Sequence, residues 1–89
     1  MSKLASRLPA KTTERFLLIR SGHYWTVKKG IDTHGPYLSR RDAFLDAVDA
    51  AYAASKLGDS TEVVDLSTRR GETLLWRSEH DNYPPNPRV

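Results

Sequence analysis

Cysteine is absent from this 89-residue chain, which excludes disulfides, thiolate nucleophiles and cysteine zinc sites and ties it to no oxidising compartment. No apolar run approaches the roughly 20 residues that cross a bilayer. Histidine is scarce: His23, His34 and His80 are the only three, and none forms an HxxxH or HxH pair suited to zinc. A site from Asp32, His34 and His23 is the one metal arrangement conceivable, and solvated loop histidines are the commoner case. Glycine-rich phosphate loops, GxSxG elbows and GxGxxG turns are also missing. These gaps argue against an enzyme and imply no cofactor and no metal.

Charge excess is small. Fourteen Lys and Arg face eleven Asp and Glu, a formal net charge of +3, and clustering on one face would mean more than this total. The length suits one small domain. Its start, MSKLASRLPAKTTERF, is basic but has no apolar core before a cleavage site, so residues 1–13 read as a flexible basic segment and the cytoplasm is the expected location, with no membrane partner.

What the chain does have is periodicity. RFLLIR (15–20) is short, apolar and compatible with a strand, Ser21-Gly22 signals a turn, and YWTVKK (24–29) alternates as a half-buried strand. Trp25 and Val27 share one face; Tyr24, Thr26 and Lys28 share the other. GIDTHGP reads as an irregular loop before a short third strand in PYLS. Ser39 then stands three residues ahead of Asp42, a variant capping box, and a run of strong helix formers ends at Gly58. A helix is expected over 40–57. Phe44, Ala47, Val48 and Ala51 form its apolar stripe, with Asp42, Asp46 and Asp49 as a solvated one. TEVVDL and TLLWR, separated by a polar turn containing Gly71, predict a second hairpin, and SEHDNYPPNPRV an extended proline-rich tail over 79–89.

The expected fold is therefore α+β: an antiparallel sheet of four or five strands, in the order β-β-(β)-α-β-β, with one helix on one face of a single domain spanning 14–78. Trp25 and Trp76 should share the interior side, with Leu74 beside Trp76. Both sides of the sheet carry apolar residues, so the helix-free face should be covered. The residues assigned to that cover are Leu17, Ile19, Val63 and Leu75, and what covers them is either the N-terminal segment through Leu4 and Leu8 or a second copy, making a homodimer.

Basic pairs at element ends offer a different function. Lys28-Lys29, Arg40-Arg41 and Arg69-Arg70 are candidates for binding nucleic acid or another anion, with Arg40 and Arg41 at the positive end of the helix. Tyr24, Tyr37 and Tyr83 could stack on bases, and YPPNPRV has the character of a ligand for an aromatic groove.

The pattern of Trp25, Val27 and Gly30, then Ala43, Ala47 and Ala51, then Val63, Val64 and Gly71 resembles a group of small bacterial domains of unknown function, over 24–77. That resemblance implies a fold and no activity. YWTVKKG and the following loop, strand and helix, over 24–48, are also similar to the hybrid-binding domain of ribonucleases H, which implies RNA/DNA hybrid as a partner.

Overall fold

The computed structural model describes residues 13–86. Five strands and one helix follow in the order β1 (Thr13–Ser21), β2 (Tyr24–Lys29), β3 (Asp32–Tyr37), α1 (Arg40–Ser55), β4 (Ser60–Thr68) and β5 (Gly71–Arg77). The sheet order is β3-β2-β1-β4-β5, with the helix packed on one face against β1 and β4 above all.

The fold is α+β, as expected, but the sheet is mixed rather than purely antiparallel. β1 and β4 pair in parallel, Phe16 opposite Val63 and Leu17 opposite Val64. The connection explains this. The β2–β3 hairpin occupies one edge of β1, and α1 then runs back beneath the sheet, so β4 starts at the same end as β1 and takes its free edge. A central β1 accounts for the apolar residues on both faces of RFLLIR.

GIDTHGP contributes most of β3 instead of an irregular loop. Gly35 permits it: its φ is +121°, and an added Cβ would lie 3.1 Å from the Trp25 carbonyl oxygen. Pro36 sits on this edge strand, where its missing N–H costs no ladder bond.

Ser39 caps α1, its Oγ accepting from the Asp42 N–H at 3.0 Å. The helix stops at Ser55, two residues early. Leu57 and Gly58 donate three residues back, to Ala54 and Ser55, which tightens the last turn before Gly58 adopts a φ of +113°.

The helix stripe is buried as its spacing implies: Ala43, Phe44, Ala47, Val48 and Ala51 meet Phe16, Leu18, Trp25, Val27, Val63 and Trp76. Both indoles lie on the interior side. Thr61 ties β4 to the helix, its hydroxyl donating to the Ala51 carbonyl at 2.9 Å.

Three assignments change, those of Val63, Leu75 and Leu74. Val63 faces the helix rather than the cover side, and Val64 takes the outer position. A β-bulge in β5 changes the other two: Val63 faces Trp76 but Val64 faces Leu74, so Leu75 is the extra residue. A bulge interrupts alternation. Leu75 therefore packs with Trp76 against the core, and Leu74 points away, 46% exposed.

The proline-rich tail does not extend away from the domain as far as Asn86. It folds back, with the Tyr83 ring stacked on Tyr52 of the helix at 3.9 Å and the Trp76 indole donating to the Asn82 carbonyl at 3.0 Å. Leu4 and Leu8 lie outside the described residues.

Candidate functional surfaces

β1, β3 and β4 all finish at the end of the sheet where α1 begins, here called the upper end. The turns there carry His23, Arg69 and Arg70, and the helix start carries Arg40 and Arg41. Lys28 and Lys29 close β2 at the lower end, so the six basic residues do not form one patch. Lys29 faces the helix side, 3.5 Å from Glu14 and over the Phe16 ring, while Lys28 faces away beside Leu17.

Arg40 is structural. Its Nε donates to Asp65 Oδ2 at 2.7 Å, and Asp65 is fully buried on the helix side of β4. Burial pushes the Asp65 carboxyl up, but hydrogen bonds from the Ser67 hydroxyl and amide and from Arg40 outweigh it and hold the pKa below the ordinary value. Of the six basic candidates, Arg41, Arg69 and Arg70 are exposed at this end; Arg20 is exposed there too, donating to the Gly22 carbonyl and lying over the Trp25 ring.

Of the three tyrosines expected to stack on bases, two are exposed, and one of these, Tyr83, already has its ring against Tyr52. Tyr24 is 48% exposed on the helix-free face. Tyr37 packs against the core, and its hydroxyl donates to Asp46. Burial first, and then that carboxylate, raise the phenol to about 12. Tyr83 donates to Asp49 Oδ1 at 2.6 Å, and this bond foremost raises its pKa. The acidic helix stripe thus holds two phenols instead of only meeting water, a role its i, i+4, i+7 spacing does not announce.

The helix-free face is read from strand register. Leu17 and Ile19 of β1, Val64 and Leu66 of β4 and Leu74 of β5 lie across it, with Tyr24 and Thr26 beside them on β2. Val64, flanked by Leu17 and Leu74, has no exposed surface, whereas Leu66 is 36% exposed. Charge crosses the row, since Arg15 on β1 and Glu72 on β5 lie on opposite sides of Val64 of β4. Arg15 donates to Glu72 at 2.7 Å and to Glu62 at 3.3 Å. The bond from Arg15 holds the Glu72 carboxyl below its usual range.

His23 and Asp32 stand at opposite ends of β2, and no group of three metal-ligating side chains occurs among the described residues. A polar notch of about 100 Å³ at the lower end is lined by Ser60, Thr61, Arg77 and Glu79, among others, and Ser60 donates to Glu79 across it. No helix among the described residues is long and apolar enough to cross a membrane. No protein-family model, curated protein or solved structure matches the chain.

Proposed function

We propose that the chain is a non-enzymatic, cytoplasmic binding or scaffold domain that self-associates through the helix-free face of its sheet. The observation that carries this reading is the row of Ile19, Leu17, Val64, Leu66 and Leu74 over three adjacent strands, on the face opposite α1. Two such rows related by a two-fold axis bury one another, and the Arg15 pairs with Glu62 and Glu72 supply both signs of charge to the contact. Ile19→Glu combined with Leu74→Glu places like charges at the centre of that contact. Sedimentation should then show the chain mass at concentrations where the wild type sediments at twice it. A wild type that stays at the chain mass at millimolar concentration would remove the proposal.

A second reading rests on a different observation, the shared position of Arg41, Arg69 and Arg70 at the upper end. Nucleic acid binding there would be salt-dependent, as phosphate contacts are. Arg40 is left out of the test because it holds Asp65. Arg41→Glu with Arg70→Glu should abolish any binding to duplex, single-stranded or hybrid oligonucleotides that weakens between about 50 and 200 mM salt; unchanged affinity would dispose of this patch.

A further inference from the structure

The Arg15 guanidinium reaches two carboxylates on the helix-free face. Its terminal nitrogens donate to both oxygens of Glu72, at 2.7 and 3.2 Å, and its Nε donates to Glu62 at 3.3 Å. The two partners differ in position. Glu62 stands directly opposite Arg15 in the β1–β4 register, whereas Glu72 belongs to β5, with β4 in between. Arg15 alternates with Phe16, which faces the helix, and Glu72 with Thr73, the partner of Asp65, so both charges project away from α1. Next after Glu62 on that side of β4 comes Val64. The bridge to Glu72 therefore passes over Val64, which is fully buried although α1 covers the other face.

Such a bridge opposes a second sheet. A copy closing on the row must either desolvate the paired charges, a cost their attraction repays only with further hydrogen bonds, or push them aside. The path aside is short. Arg15 keeps Glu62 at the end of the row, while Glu72, on the edge strand β5, turns to water. Bidentate arginine–carboxylate pairs within a network are the exposed pairs strong enough to matter. We infer that the Arg15–Glu72 bridge is a latch over the centre of the apolar row, shut in the single chain and opened when Arg15 withdraws to Glu62, so that self-association tightens as ionic strength rises. The inference rests on the sheet-face association proposed above. Its salt dependence is opposite to that of phosphate binding at the upper end.

Sedimentation equilibrium of the full chain at about 50 and about 300 mM sodium chloride spans the range in which exposed pairs become screened. At the lower salt Glu72→Gln should dimerise roughly three- to tenfold more tightly than the wild type, since two exposed pairs per dimer no longer have to open. The gap should shrink to less than about twofold at the higher salt. Glu62→Gln removes the place to which Arg15 withdraws and should weaken association. A neutral gadolinium chelate, added at micromolar protein where the chain is monomeric, reads the latch without a partner: the Val64 methyl resonances should broaden in Glu72→Gln and stay sharp in the wild type. An association constant unchanged by Glu72→Gln, or raised equally by Glu62→Gln, would overturn the latch and leave the sheet-face reading standing. Val64 methyls shielded alike in both chains would do the same. Failure of every chain to associate at millimolar concentration would remove both.

Discussion

Trp76→Ala is expected to destabilise the domain by about 3–5 kcal/mol, the cost of removing a large aromatic from a packed core. The indole is 2% exposed, faces Val63 across the strand pair and lies within the core cluster beneath α1. Its N–H also holds Asn82, so truncation loses the anchor of the C-terminal segment as well. Small domains have roughly 5–15 kcal/mol in all, and such a loss consumes much of it. At concentrations where the chain is monomeric, Leu74→Ala in the same strand should cost less than about 1 kcal/mol, because surface positions rarely cost more. Urea unfolding of the two variants would test the bulge directly. Equal losses would mean that Leu74 and Trp76 share a face after all.

The second large effect concerns the carboxylate at the top of β4. Arg40→Met leaves Asp65 ionised and buried, with the Ser67 hydroxyl and amide still donating to it at 2.6 and 2.8 Å. The expected loss is about 3 kcal/mol, at the low end for breaking a buried pair. The reason is that Arg40 keeps 34% of its side-chain surface in water. Acid should act in the same direction. The folded-state pKa of Asp65 is depressed, so its contribution is fully present above the unfolded carboxyl value of about 3.9 and is lost as pH falls through the folded value. Asp65→Asn should therefore flatten the acid limb of the stability–pH curve below about pH 4. Thermal melts across that range check it, and an unchanged acid limb would show that Asp65 carries no such linkage.

Local signals in the sequence reach far into the fold. Ser39, the alanine stripe and Gly58 locate the helix, and alternation in YWTVKK puts Trp25 and Val27 inside. What alternation cannot supply is pairing between segments distant in the chain. The parallel β1–β4 contact depends on where a helix delivers β4, and the extra residue at Leu75 exists only relative to its partner strand. For that reason Val63, Leu74 and Leu75 are read onto the wrong face, while alternation within β1 alone suffices to place Leu17 and Ile19 opposite Phe16 and Leu18. Surface chemistry is legible to the same depth. Paired arginines are visible in sequence, but the partner that removes Arg40 from the surface lies 25 residues away. The docking of Tyr83 on Tyr52 and Asp49 spans still more chain and leaves no spacing signature.

The claim with most riding on it is that the helix-free face is where the molecule meets its copy. Methyl-resolved NMR spectra recorded from micromolar to millimolar concentration address this without any substitution. The account predicts concentration-dependent shifts for Leu17, Ile19, Leu66 and Leu74, with Val48 and the other helix-side methyls constant. Spectra that do not change, or changes gathered on the helix, would contradict it.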